Sequence, residues 1–532
     1  MIRINAPRTM PALPRPALAR LAPGLAALAL AVAWAVLLPQ LRPLLPVDET
    51  RYLTVAWEMH AGGSLIVPHL NGAIYAHKPP LLFWLINLVW ALTGVSETAA
   101  RLVAPAFAVI AVGLTWRLGR LLWPAQPETG GRAALILAST GAFVVFGSLT
   151  MFDTMLTVAT LAGIAALVAM DRGPGLGPTA LFGAALALGV YAKGPVILVH
   201  LAPLALSRPV WSLSGAAPSY WRWLARLGLA LIVALALVAI WLGPALVFGG
   251  PQYRDEVLWR QSAGRMVHAF DHARPVWFFV AALPLLLWPW GWRLALLREL
   301  GRRRLRQDRR SRLLAIWAGA TLVVFSLISG KQLHYLLPAL PAAALAIAAG
   351  PVPRRSLAPA VLALAVLAPV AAWLVLLLTG RAWIDGRPVT VLTAGGVAAW
   401  LVLGLALVLG LGLAGRRAPL LGWALIAPTT MLAVHLALMA PMRAQYDTEG
   451  LGAMIGAGPP AGIGISGYRY QGEFGFAARL TQPIETVAED AVDAWIAAHP
   501  GGLLITATPP ADPARPGLRA SYGSATFYLD RL

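Results

Sequence analysis

The chain contains no cysteine, which excludes disulfides and thiolate metal sites. Charge is scarce too. Only 12% of the 532 residues are Asp, Glu, Lys or Arg, about half the ~25% usual in soluble domains. The rarer sign is negative, with 22 acidic residues against 42 basic ones and a formal net charge of +20. This excess does not point to nucleic acid. The basic residues sit in short loops between apolar runs, where the positive-inside rule puts them. Those runs recur at lengths of ~17–25 residues, which is what a bilayer's hydrocarbon core demands of helices. The chain therefore reads as a polytopic α-helical membrane protein. Run 21–39 follows Arg3, Arg8, Arg15 and Arg20; it is long and lacks a clear small-residue cleavage site, so it reads as an uncleaved first span.

Span parity fixes an expected topology. The densest basic loop, 298–312, holds Arg298, Arg302, Arg303, Arg304, Arg306, Arg309, Arg310 and Arg312, and is placed in the cytoplasm. Forward from it, runs 313–329, 333–350, 356–379, 391–413 and 418–440 leave residues 441–532 outside. Backward, runs 275–296 and 227–248 return the chain to Arg208, Arg222 and Arg226. Residues 179–207 must then cross twice, with Lys193-Gly194-Pro195 at the outer turn. Run 133–170 must form a hairpin with Asp153 at its outer turn. The expectation is about 13 transmembrane helices, a cytoplasmic N-terminus and a membrane domain over 1–440. The first outer loop, about 42–96, carries two interfacial helices, over 50–61 and 79–94.

The tail 441–532 changes character. β-like runs at 462–466, 503–508 and 526–529 alternate with helix-like segments at 448–457 and 489–498, which suggests a small α/β domain on the outer face. Gly462-Ile463-Gly464-Ile465-Ser466-Gly467 matches a dinucleotide fingerprint literally. It is rejected because no helix start follows and no βαβ unit is evident.

Under this topology the polar residues near span ends gather on one side: Asp48, Glu49, Arg51, His69, His77, Lys78, Asp153, Lys193, Arg260, Arg265, His268, His272, Arg274, Lys331, His334 and Tyr335. Ionisable groups at membrane depth are costly, so such a cluster marks a site. Many cations at a membrane surface suit a lipid phosphate. A carboxylate among them suits proton abstraction from an acceptor. Each residue also fits a plainer role. Asp48 fits an N-cap as well as it fits catalysis, and Arg51 fits a neutralising partner. Lys78 fits a snorkelling lysine, Asp153 a turn residue and Lys193-Gly194-Pro195 a helix break. Tyr335 and Trp277 fit an interfacial aromatic belt. The histidines read first as polar surface residues, although imidazole and carboxylate also suit a divalent metal.

Asp48-Glu49-Thr50-Arg51-Tyr52, then Ile66-Val67-Pro68-His69-Leu70-Asn71-Gly72 and Lys78-Pro79-Pro80-Leu81, give the chain a recognisable resemblance. It resembles the bacterial lipid A aminoarabinose transferases and the dolichyl-phosphate-mannose protein mannosyltransferases, membrane glycosyltransferases of the GT-C superfamily. Gly330-Lys331-Gln332-Leu333-His334-Tyr335 and Lys193-Gly194-Pro195 extend the likeness. The resemblance implies an enzyme of the bacterial inner membrane with a periplasmic C-terminal domain. Its implied partners are a polyprenyl-phosphate-linked sugar, lipid A or another envelope acceptor, and membrane lipid, with no nucleic acid. Asp48 and Asp153 correspond to the catalytic carboxylates. Lys78, Lys193 and Tyr335 correspond to donor-phosphate contacts; the charge that develops on the phosphate also suits Arg260 or Arg265, and Glu49, Arg51, Tyr52 and His334 are assigned to the acceptor or to other roles. Relatives carry Glu before the Lys-Pro-Pro where this chain has His77, so an implied divalent metal rests on His77 and His268. Transfer is expected to invert the anomeric centre, because no second carboxylate is evidently placed as a nucleophile. The competing readings are a transporter or flippase of lipid-linked intermediates, transfer to protein or to other glycans, and a scaffold without chemistry.

Overall fold

The computed structural model describes residues 17–214, 219–258, 273–292, 308–350, 419–456, 461–507 and 518–532, with isolated positions between 351 and 418. The runs expected at 356–379 and 391–413, and most of the arginine loop 298–312, lie outside the described residues. Among the described residues six helices are long and apolar enough to cross a membrane: Leu21–Gln40, Glu97–Leu122, Asp153–Arg172, Leu176–Leu206, Tyr220–Phe248 and Arg309–Leu327. The bent pair Glu128–Ala138 and Gly141–Gly147 makes a seventh candidate. The chain is a multi-pass membrane protein.

The helices are α1 (Ala17–Gln40), α2 (Asp48–His60), α3 (Leu81–Thr93), α4 (Glu97–Leu122), α5 (Glu128–Ala138), α6 (Gly141–Gly147), α7 (Asp153–Arg172), α8 (Leu176–Lys193) and α9 (Ile197–Leu206). After them come α10 (Tyr220–Phe248), α11 (Phe278–Leu286), α12 (Arg309–Leu327), a 3-10 turn at Leu333–Ala339, α13 (Leu340–Ala348) and α14 (Pro419–Gln445). Helices α1, α4 and α5 approach through small residues. A Cβ on Gly119 would stand 2.4 Å from the Gly130 Cα, so α4 and α5 touch backbone to backbone. Such close crossings let van der Waals packing hold helices together where lipid removes the hydrophobic drive. On α10, Ile232, Leu235 and Ile240 are exposed, as a lipid-facing surface requires. The α5–α6 pair bends by 66°. At the bend the Ser139 and Thr140 hydroxyls donate back to the Leu135 and Ile136 carbonyls, competing with the helical ladder.

Residues 176–206 are continuous enough in helix to pass as one 31-residue span, but their contacts show a reversal. Lys193 at the end of α8 pairs with Asp153 at the start of α7, 2.6 Å apart. Arg208 and Ser212, beyond α9, bind Asp171 at the other end of α7 at 2.8 and 2.7 Å. The chain therefore reaches the Asp153 end at Lys193 and is back at the Asp171 end by Arg208, doubling back at Lys193-Gly194-Pro195. That second end is the basic one. Arg226 donates to the carbonyls of Met170, Gly173 and Gly175, and Arg309 to Ser212.

Two expected spans differ in form. Within the described part of run 275–296 the helix Phe278–Leu286 stops short of Pro289 and a short turn follows at Trp290–Trp292, since proline withholds a backbone donor. Run 333–350 opens as a 3-10 turn before α13.

Helices α2 and α3 have 13 residues each, ~20 Å at 1.5 Å per residue, too short to cross. They pack on each other through Tyr52, Leu53, Val55, Ala56, Phe83, Ile86 and Trp90. Between them β1 (His69–Leu70) and β2 (Ala73–Ile74) form a hairpin. Its turn, Asn71-Gly72, has φ of 54° and 73°, the two positive values that a tight hairpin of this twist demands. Glu58 caps the turn, accepting from the Asn71 and Gly72 amides.

The C-terminal residues hold α15 (Thr448–Gly456), α16 (Val492–Ala498) and strands β3 (Ile463–Ser466), β4 (Glu485–Thr486), β5 (Leu503–Thr506), β6 (Leu518–Tyr522) and β7 (Ala525–Arg531). They form one sheet ordered β4-β3-β5-β7-β6. Strand β3 runs parallel to β4 and β5, and β7 antiparallel to β5 and β6. No helix begins at the end of β3, where Gly467 turns the chain at φ 71°.

This region docks on the first loop. The Thr54 hydroxyl donates to the Gly472 carbonyl (2.7 Å) and accepts from the Phe476 amide (3.0 Å). Trp57 donates to the Leu480 carbonyl, and Arg51 binds Gln471 through carbonyl and side chain. The Asn71 amide group exchanges two hydrogen bonds with the Ile484 backbone, at 2.8 and 2.7 Å. Trp90 stacks on Phe476 with ring centroids 5.4 Å apart.

Asn71→Ala removes both bonds, ~1 kcal/mol each, and puts alanine in a left-handed conformation costing ~1–2 kcal/mol. The expected outcome is a destabilisation of about 3 kcal/mol at this contact, read as faster proteolytic release of the C-terminal region in detergent.

Candidate functional site

Asp48 is the first residue of α2 and not its cap; Val47 holds that position and no side chain caps the helix. The Asp48 carboxylate instead accepts from the Tyr52 hydroxyl one turn on, at 2.8 Å. This corrects the N-cap alternative. Tyr52 is held edge-on by Phe152, with centroids 5.0 Å apart, so the hydroxyl that steadies Asp48 is itself fixed from the loop before α7. Asp48 lines an open cavity of about 420 Å³ with Phe146, Met151, Arg274, Phe278, Lys331, Gln332, Leu333 and His334.

Another part of the cavity wall is built by a buried lysine. Lys331 is 3% exposed and donates to the carbonyls of Arg274 (2.9 Å) and Ile328 (2.5 Å), with a longer contact to Ser329. A backbone bridge joins Ala273 to Gly330 beside it. The ammonium thus holds the 273–274 and 328–331 segments together, and Arg274 is presented at the cavity with an exposed side chain.

Asp153 lies deeper, 2% exposed. One oxygen binds Lys193 at 2.6 Å and the other lies 4.0 Å from His334 Nε2. The Lys193 ammonium also sits over the Tyr335 ring, 4.8 Å from its centroid, a cation–π contact. Tyr335 meets His334 edge-on at 4.9 Å, and His334 packs on Phe146. Lys78 acts electrostatically on both Asp153 and His334, and Asp48 acts on His334. His334 lines the cavity beside Asp48 and approaches Asp153 from the same side, so it joins the two carboxylate neighbourhoods.

Glu49 was expected on the acceptor side, but it is turned away from the cavity and 2% exposed. Its oxygens accept from both Arg42 amino groups, from the Leu45 amide at 3.1 Å and from the Thr150 amide at 2.7 Å. Arg101 stands behind, donating to the Arg42 and Pro43 carbonyls and to Glu97. Burial pushes the Glu49 carboxyl up, but the Arg42 charge and hydrogen bonds, with Arg101, outweigh it and hold the pKa at about 2. Arg51, another expected acceptor residue, is engaged with Gln471 of the C-terminal region.

The structure thus brings together Asp48, Tyr52 and His334 at the cavity, and Asp153, Lys193, Tyr335 and Lys78 beside it. Arg260, Arg265 and His268 lie outside the described residues. His77 is exposed and packs against Tyr75, with centroids 5.2 Å apart. Among the described residues no three His, Asp or Glu side chains gather as a metal set, so no step below runs through a metal. Arg42 and Arg101 went unread in the sequence. Their one signal was the Glu97/Arg101 spacing of i, i+4 on a helix.

The Glu49 pKa has a stability consequence. It lies below the ordinary value of 4.5. Its contribution is therefore complete above pH ~4.5 and lost as pH falls toward 2, about 3 kcal/mol in all. Thermal unfolding in detergent should show this acid decline, and Glu49→Gln should be less stable at neutral pH and flatter across that window.

Residues 77–243 match the family model of dolichyl-phosphate-mannose-protein mannosyltransferase. The undecaprenyl phosphate-alpha-4-amino-4-deoxy-L-arabinose arabinosyl transferase 1 of Pseudomonas fluorescens (strain Pf0-1) is 31% identical over 301 residues, 55% of this chain and 51% of the relative. The protein of that name from Sodalis glossinidius is 32% identical over 315 residues, 57% and 54% of the two chains. The chain spans about half the length of these relatives. Among solved structures, ArnT from Cupriavidus metallidurans bound to undecaprenyl phosphate superposes with a TM-score of 0.73 at 19% identity, covering 97% of this chain and 99% of that one. Its apo form gives a TM-score of 0.71 at 18% identity over 96% and 97%. The likeness in fold therefore runs nearly the whole chain, well past the likeness in sequence. The chain shares the fold of these solved structures, and parts of its sequence are similar to the arabinosyl transferases and to the mannosyltransferase family model.

Proposed function

We propose that this protein moves a sugar from a polyprenyl-phosphate donor to an envelope acceptor such as lipid A, at the periplasmic face of the bacterial inner membrane. The observation that carries the reading is the pairing of a cation cluster with an adjoining cavity lined by one lightly held carboxylate, at one end of the helix bundle. The relatives' names make undecaprenyl phosphate-α-4-amino-4-deoxy-L-arabinose, a pentosyl donor, the first to test. The proposed topology keeps about 13 spans, a cytoplasmic N-terminus, a membrane domain over 1–440 and a periplasmic α/β domain over 441–532.

The chemistry needs little general acid, because a lipid phosphate is already a good leaving group. It needs positive charge where the phosphate gains charge as the glycosidic C–O bond breaks. Lys193 and Lys78 supply that charge, Tyr335 shapes the ground beneath Lys193, and Arg260 and Arg265 are assigned to the same task. Asp153 balances and aims Lys193. Asp48, steadied by Tyr52, faces the acceptor and takes its proton where the attacking oxygen carries one. The acceptor oxygen bonds to the anomeric carbon while the bond to the lipid phosphate oxygen breaks, and the lipid phosphate leaves with the electron pair. One displacement inverts the centre. Arg274, exposed at the same cavity as Asp48, suits an anionic group on the acceptor.

The test is mass spectrometry of lipid A after incubation with purified protein and a panel of undecaprenyl-phosphate sugars. A sugar-sized mass gain is expected with wild type, and Asp48→Asn should reduce its rate ~10²-fold or more. Lys193→Met should raise the donor KM by about tenfold, the loss of one charge-assisted contact. Donor consumption with lipid A unmodified would redirect the acceptor to protein or glycan. Donor left intact across the panel would overturn the transferase reading.

A further inference from the structure

We propose that Glu49 is a positioning residue, the clamp that sets Asp48 against the Asp153–Lys193 pair. This rests on the transferase reading. Glu49 follows Asp48 directly, yet it does not line the cavity, and its hydrogen bonds go to Arg42, Leu45 and Thr150. Its reach is instead across to the loop before α7. Oε1 accepts from the Thr150 amide at 2.7 Å, and Arg42 Nη2, bound to that same oxygen at 2.9 Å, donates onward to the Ser148 carbonyl at 3.1 Å. Oε2 accepts from the other Arg42 amino group and the Leu45 amide. One carboxylate thus grips the 148–150 segment, and Asp153 begins a helix three residues later.

The clamp is anchored from behind. Arg101 of α4 holds the Arg42 and Pro43 carbonyls at 3.0 and 3.3 Å and is itself bound by Glu97. The start of α2, the end of α1, the 148–150 loop and α4 therefore meet at a single buried anion. Two carboxylates that arrive on separate loops have no local reason to keep a fixed spacing. A hydrogen-bonded anion between their loops supplies one, because four donors must all be satisfied at once in a site closed to water. Positioning to within about 1 Å is worth orders of magnitude in rate, so the clamp should be read in turnover and not in donor affinity.

Glu49→Asp is the informative variant. It keeps the charge that Arg42 needs but withdraws the carboxylate by about 1.5 Å, one C–C bond, so it cannot reach Leu45 and Thr150 together. Thr150→Pro removes the amide from the other side and leaves the Arg42–Glu49 pair intact, which keeps the test open if Glu49→Asp fails to fold. Each folded variant is assayed for kcat and donor KM, and hydrogen–deuterium exchange is followed in the peptide over 148–155. The expected result is a kcat at least tenfold lower, a donor KM within twofold of wild type, and faster exchange in that peptide with the α8 peptides unchanged. A variant that keeps wild-type kcat, or shows unchanged protection over 148–155, overturns the proposal. A merely structural Glu49 would lower the yield of folded protein while the folded fraction turned over normally. Wild type inert toward every donor would sink the transferase reading, while the exchange data would still report on the clamp itself.

Discussion

A charge taken out of water has to be met on every side, and this constraint organises the protein. Glu49, Asp153 and Asp171 are each at most 2% exposed. Glu49 is met by Arg42 and two amides. Asp153 is met by Lys193 with His334 nearby. Asp171, at the basic end of the bundle, is met by Arg208, Ser212 and the Leu213 and Ser214 amides. Each joins segments distant in sequence, so the same bonds that make burial tolerable also fix which helix ends meet. Asp48 stands apart from them. Among the described residues it accepts from the Tyr52 hydroxyl, and it opens onto a cavity where a substrate can reach it.

The helix ends explain why the site sits where it does. Helix α7 has a carboxylate at each end, and each takes its partner from a different part of the α8–α9 hairpin. The reversal at Lys193 is thereby pinned beside Asp153, and the 3-10 turn carrying His334 and Tyr335 packs against it. Short helices α2 and α3 close this end from the first loop. Helices with their irregular backbone gathered at the helix ends are the arrangement a membrane enforces, since backbone groups in hydrocarbon must be satisfied within helices.

Much of this was legible in the sequence. Apolar runs anticipated spans at 21–39, 227–248 and 313–329, and short β-like runs anticipated three of the five strands of the C-terminal sheet. Asp48, Lys78, Asp153, Lys193 and Tyr335 stood among a larger set of polar residues near span ends, and the resemblance singled them out. Their individual partners were not legible. Glu49 adjoins Asp48 and shares its chemistry, and no spacing tells that one faces a cavity and the other a wall of donors. Arg42 sits just past the first span, and its partner lies across a loop. Proline also overrode hydropathy: run 275–296 is apolar enough for a span, yet among its described residues the helix Phe278–Leu286 gives way to a turn around Pro289.

The contact between the C-terminal region and the first loop is asymmetric. On the loop side it uses side chains: Arg51, Thr54, Trp57 and Asn71. On the other side the partners are mostly main-chain atoms, at Gly472, Phe476, Leu480 and Ile484. A surface recognised through its backbone tolerates turnover of its side chains, provided its path is kept. Substitutions should therefore accumulate at the exposed positions 481–483, while the buried stretch 472–476 and the loop residues that read it stay under constraint. Two proteins of this build could then exchange C-terminal regions of quite different sequence and still close the same end of the bundle.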